Sequence, residues 1–158
     1  MLEKIICGFQ TEADIGGIFA ARAHGIPTGG AMPNGFLTED GPRPDYAELY
    51  GAVELATDSY KERTRANVRD SDGTLWLGDY HSPGGRATLD ACRLMGKPYL
   101  IVYAGITTPG EVRDWIVERG IRTLNVAGNR ESSSPGIGDR VERFLGAVLR
   151  QIGHRPLG

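Results

Sequence analysis

Four short apolar runs, separated by amphipathic stretches, decide most of what this chain can become. Lys4–Cys7, Thr74–Leu77, Pro98–Tyr103 and Thr123–Ala127 have the length and composition of strands. The stretches between them carry helical spacing, and such alternation predicts a mainly parallel β-sheet with helices on both faces. The run PYLIVY (98–103) is apolar on both alternating faces, as for a strand covered on each side. In Thr11–Ala23, Ile15, Ile18 and Phe19 fall at helical spacing, and Val112, Trp115 and Ile116 form a stripe after Pro109. The clearest stripe is the last, through Ile137, Val141, Phe144, Leu145, Val148, Leu149 and Ile152. Gly25–Tyr50 reads as a short strand plus a long loop, and Tyr60–Asp70 as a polar surface helix near the ligand cleft. The expectation is an α/β fold with a single domain over 1–158.

Composition narrows the classes of function. The 158 residues are 40% hydrophobic and 24% charged, ordinary values for a folded domain. The net charge is -2 and the basic residues are scattered, which argues against a nucleic-acid partner. No apolar run reaches the ~20 residues that cross a membrane, and no leader pattern is present, so no membrane partner and a cytoplasmic location are expected. Cys7 and Cys92 read as buried small hydrophobes, since no C-x-x-C occurs. The histidines His24, His81 and His154 are far apart and no metal-ligand spacing exists, so no metal site is expected.

Ligands of parallel sheets sit at the carboxyl ends of strands, where the next helices point their N-termini. Three polar, glycine-rich turns stand there. The first carries Gly8, Gln10, Thr11 and Asp14, the second Ser82, Gly84, Gly85, Arg86 and Thr88, and the third Gly128, Arg130, Glu131 and Ser132. Glycine amides can approach an anion closely, and the Ser82 and Thr88 hydroxyls can complete its shell. Each turn taken alone is also an ordinary cap or tight turn. Neither a P-loop nor a G-x-G-x-x-G fingerprint is present. Helix N-termini supply roughly 0.3–1 kcal/mol each, so two or three give on the order of a hundredfold in affinity. Further contacts are needed, and Arg86, Asn67, Arg69 and a Gly29-Gly30-Ala31-Met32-Pro33 loop are the candidates. His81, beside the second turn, can face the site.

In CGFQTEAD (7–14), GIPTGGAMPNGFLTEDGP (25–42), ERTRANVRDSDGTL (62–75), SPGGRATLDAC (82–92), GKPYLIV (96–102) and IRTLNVAGNRESSSPGI (121–137), the chain resembles the putative molybdenum carrier family, also described as circularly permuted YpsA-like. That family belongs to a superfamily with the LOG and DprA/SMF proteins. The resemblance implies a Rossmann-like fold, a nucleotide-like ligand and a homodimer or higher homo-oligomer. Molybdenum cofactor, a pterin with a phosphate, is the cofactor it implies. LOG-type hydrolases carry a glutamate where this chain has Ala91, with Asp90 about 100° away on the helix. Glu12 replaces a family glycine and Ile15 an arginine, and a carboxylate at Glu12 opposes a phosphate unless it points outward. The leading expectation is therefore a carrier-type protein for a small phosphorylated ligand. A nucleotide-processing hydrolase using Asp14, Asp90 or Glu131, and a ligand-sensing oligomeric scaffold, are the alternatives.

Overall fold

The computed structural model describes residues 1–154 and 156. Six strands, β1 (Lys4–Ile6), β2 (Thr28–Met32), β5 (Ala52–Glu54), β6 (Gly73–Leu77), β7 (Tyr99–Val102) and β8 (Thr123–Gly128), form one sheet in the order β5-β2-β1-β8-β6-β7. Every neighbouring pair in it is parallel. Two further strands, β3 (Leu37–Thr38) and β4 (Gly41–Pro42), make a separate antiparallel hairpin. The helices are α1 (Glu12–Ala23), α2 (Asp45–Tyr50), α3 (Tyr60–Arg69), α4 (Pro83–Met95), α5 (Pro109–Glu118) and α6 (Ile137–Ile152).

Crossover handedness assigns the faces. β1-α1-β2 and β7-α5-β8 step one way across the sheet, while β5-α3-β6 and β6-α4-β7 step the other. Right-handed connections therefore place α1 and α5 on one face and α3 and α4 on the opposite one. α6 packs against both α1 and α5. This is an α/β, Rossmann-like doubly wound sheet.

The main core lies under α1, α5 and α6, where Ile5, Leu75, Leu124 and Val126 meet Ile137, Val141, Leu145, Val148 and Leu149. The apolar stripe of the last helix is thus a core face. Asp72 ties the opposite end of the sheet, its Oδ2 accepting from the amides of Arg122 at 3.1 Å and Thr123 at 2.9 Å. Both cysteines are buried and free.

Four expectations need correction. PYLIVY is an edge strand, and Tyr99, Leu100 and Ile101 are only half-buried because no strand pairs beyond them. In α1 the buried face is mostly small (Ala13, Gly17, Ala20, Ala21, with Ile18), and Phe19 is 42% exposed, because the helix lies close against α6. α3 is polar yet buries Thr64, Ala66, Asn67 and Val68 against the sheet and α4. The stretch read as a loop around Gly29-Gly30 is strand β2, followed by the hairpin and α2.

Gly30 is required there. Its φ is +136°, and a Cβ would stand 1.9 Å from the Cys7 carbonyl oxygen. Since β2 pairs on both sides, the backbone cannot step away. Gly30→Ala should cost about 2–4 kcal/mol, as strained φ and core overpacking add. Urea denaturation will show this as a lowered midpoint; an unchanged midpoint contradicts the packing described.

Candidate functional site

Because β1, β8 and β6 are adjacent, the turns after them meet at one end of the sheet. Together with α3 they enclose a cleft of ≈ 1160 Å³. The first turn brings Gly8, Gln10, Thr11 and Asp14, the second brings Ser82, Gly84, Arg86 and Thr88, and the third brings Gly128 and Arg130. His81 and Asn67 line it as well.

Local hydrogen bonding explains the shape of each turn. Thr11 Oγ1 caps α1 by accepting from the Asp14 amide at 3.1 Å. Ser82 Oγ accepts from the Gly85 amide at 3.2 Å and from Asn129 Nδ2 at 3.1 Å, and donates to Asp79 O at 2.8 Å. Asn129 Oδ1 also accepts from the Asp79 amide, so this side chain staples the second turn to the end of β8. Thr88 donates to Gly84 O at 2.8 Å. The Ser82 and Thr88 hydroxyls are therefore spent within the protein, contrary to their expected place in an anion's shell. What remains open is backbone. The Gly8 and Thr11 amides have no protein acceptor among the described residues, and Gly84 sits in the first turn of α4, where an amide has no intrahelical acceptor. A side chain at Gly84 would meet only the Trp76 ring, at 3.9 Å.

Arg63 is the residue that sequence reasoning missed. From α3 its guanidinium lies over Gly8 so closely that a Cβ there would fall 1.5 Å from Nη1. Nη2 donates weakly to Thr64 Oγ1 at 3.3 Å, and Nε is buried with no partner among the described residues. Asp14 is also buried, its Oδ2 accepting from the Gln10 amide at 3.0 Å. Burial pushes the Asp14 carboxyl up, against the pull of Arg63, and burial pushes the Arg63 guanidinium down. Desolvation thus outweighs their attraction; a second anion near Arg63 would favour the charged guanidinium and press the Asp14 carboxyl further toward its neutral form. Around them stand Lys61, Arg65, Arg86 and Arg130, against only Asp14 and Asp90, in a chain whose net charge is -2. The signal for Arg63 was its i, i+4 spacing with Asn67, which puts both on one helix face.

Other expected residues do not join the cleft. Gly29 and Gly30 lie inside β2. Gly85 is buried, and its Cβ would press on Tyr80 Cα at 2.7 Å, so it packs the turn. Glu131 accepts from the Gly136 amide, while its own amide donates to Glu12 Oε2 at 2.9 Å. Glu131 and Glu12 line a neighbouring cavity, and Ser132 lines neither, lying in the turn that Glu131 closes. The Glu12 carboxylate thus points away from the cleft, which removes the conflict with a phosphate. Arg69 is exposed and paired with Asp70 at 2.9 Å. Asn67, although it lines the cleft, spends its amide on β2, donating to Ala31 O at 3.1 Å and accepting from Ala31 N at 2.8 Å. No group of three metal-ligating side chains occurs among the described residues. No described helix is long and apolar enough to cross a membrane.

Asp14 gives a pH test. With its folded pKa above the unfolded value of 3.8, its contribution to stability is fully present below that value and is lost as pH rises through the folded pKa. Asp14→Asn should therefore gain melting temperature relative to the parent as pH rises above 3.8, at about 2–4 °C per kcal/mol. A difference that is flat or shrinks with pH contradicts the assigned burial.

The chain matches the model described as "Circularly permutated YpsA SLOG family" over residues 5–149. It is also similar to the crystal structure of a protein described as "Putative molybdenum carrier protein" from Syntrophus aciditrophicus SB, with 35% identity and a TM-score of 0.84. That likeness covers 94% of this chain and 95% of the other. No curated protein matches. By fold, extent and sequence, the chain belongs to the circularly permuted YpsA SLOG family.

Proposed function

We propose that the cleft binds a small phosphorylated ligand (a nucleotide, a nucleotide derivative or a molybdopterin-like cofactor) and that the protein acts as its carrier. The observation that carries this reading is Arg63, half-buried over Gly8 with a buried Nε that has no partner among the described residues, beside the open amides at the starts of α1 and α4. A hydrogen bond to a charged group contributes about 1.5–3 kcal/mol, more than any single helix end. Added to two helix ends, it brings the phosphate alone to an affinity between roughly tens of millimolar and a few hundred micromolar. The cleft volume suits a ligand larger than phosphate; buried Trp76 borders it, and the 48%-exposed Tyr60 offers a face for a ring.

The related structure is described as a carrier of molybdenum, which supports a molybdenum-containing cargo, molybdopterin being one such group. The residues present suit its phosphate and ring. Among the described residues no group of three side chains offers molybdenum itself a ligand set, so we assign recognition to the oxyanion or organic part of such a cargo. Asp14 favours the hydrolytic reading over its other candidates, since Asp90 is exposed and paired with Arg93 at 3.2 Å and Glu131 closes its own turn. Release of base or phosphate from nucleoside monophosphates, abolished by Asp14→Asn, would replace the carrier reading.

Calorimetric titration with adenosine monophosphate, a pterin phosphate, molybdate and orthophosphate tests the proposal. At least one organic phosphate should bind, and Arg63→Met should weaken it about 10- to 100-fold. Glu131→Gln, away from the cleft, should leave affinity unchanged. No binding by any of the panel, or binding indifferent to Arg63, overturns the reading.

A further inference from the structure

The β3–β4 hairpin reaches the cleft at two points. Gln10 Nε2 donates to Leu37 O at 2.8 Å and to Gly8 O at 3.2 Å. Glu39, in the hairpin turn, forms an ion pair with Arg130, a cation of the cleft. Glu39 itself lines the smaller cavity of ≈ 310 Å³, which shares Gln10 and Thr11 with the cleft. One cleft cation is thus already held by a carboxylate of the protein.

The hairpin that carries Glu39 is slight. It has two residues in each strand, lies outside the main sheet, and closes its turn through Thr38, which donates to Gly41 O at 2.8 Å and accepts from the Asp40 amide at 3.1 Å. Phe36 at its base and Phe9 in the β1–α1 turn both hold positive φ, 52° and 55°, a conformation bulky side chains rarely adopt. Both rings belong to the same small core with Tyr46. The contact also leaves Gln10 Oε1 buried without a donor. Turning the amide over would not help, because both Nε2 partners are carbonyls. Strain and an orphaned acceptor gather where hairpin and turn meet, which eases their separation.

We propose that Glu39 is an internal anion that holds Arg130 while the cleft is empty and is displaced by the ligand's phosphate, releasing the hairpin. The proposal rests on the cleft being an anion site. A carboxylate on a short tether competes at an effective concentration on the order of millimolar. A monoanion at lower concentration gains nothing by replacing one such charge with another. A phosphate monoester carries about -1.5 to -2 at neutral pH and gains the difference. The latch lowers the affinity of every anion that must displace it by the same factor, and a phosphate monoester, with its greater charge, has the most to offset it.

Hydrogen exchange of residues 37–41, with calorimetry, tests this with adenosine 5′-monophosphate and its 3′,5′-cyclic diester as probes. The monophosphate should accelerate exchange in the parent. Glu39→Gln should exchange fast without ligand, show no further acceleration, and bind the monophosphate about 2- to 5-fold more tightly, as expected for an exposed ion pair. Its gain for the cyclic diester should be no larger, since the same latch is removed for both probes. Binding of the monophosphate with unchanged or slowed exchange in the parent, or no gain in affinity for Glu39→Gln, overturns the latch. Failure of both proteins to bind either probe overturns the anion reading and the latch with it.

Discussion

The insertion of the last strand between the first and the fourth of the main sheet is the constraint on which the rest depends. β8 pairs with β1 on one side and β6 on the other, so the sheet has no centre until the C-terminal quarter of the chain is in place. Taken as though β8 came first, the sheet grows outward from its middle in both directions, as doubly wound sheets do. That is the physical sense of a circular permutation in this family. The insertion also decides which turns are neighbours, since the turns after β1, β8 and β6 become adjacent only when β8 lies between them. The junction is tight: a Cβ on Gly17 would lie 2.9 Å from Val126, and one on Gly16 2.5 Å from Gly138 O. α1 therefore rides low on the sheet, and its N-terminus ends at the mouth of the cleft.

Within that frame the polar groups divide their work. Ser82, Thr88, Asn129, Asn67 and Asp72 hold protein to protein, fixing turns and strands through hydrogen bonds whose partners are all internal. What they hold in place is a set of open amides and a half-buried guanidinium whose Nε has no partner among the described residues. Such groups are costly in a dry interior and acceptable where a ligand or water completes them. The raised Asp14 and lowered Arg63 pKa values belong to the same economy, since each is buried further than their mutual attraction compensates.

Much of the fold was legible because its long elements carry strong periodic patterns. The strands at 4–7, 74–77, 98–103 and 123–127 and the last helix owe their form to core packing, which leaves an apolar trace. β5, the hairpin and α2 escaped notice because elements of two to six residues are too short to show a period, and β2 because Gly29-Gly30 looks like a turn when it is a strand touching Cys7. The three turns of the cleft were readable from glycine and capping residues. Arg63 was not, because an arginine in a polar helix looks like a solvated one until the helix is known to lie across Gly8. Glu131 misled for the complementary reason, its carboxylate being spent on a backbone amide five residues on.

The central claim is that an anion sits between Arg63 and the open amides of the first two turns. A crystal structure of the protein grown with adenosine monophosphate tests it most directly. The account predicts phosphate density within hydrogen-bonding distance of Arg63 and of the Gly8 and Gly84 amides, with the ring toward Trp76 or Tyr60. Ligand density elsewhere on the molecule, with Arg63 contacting none of it, would contradict the account.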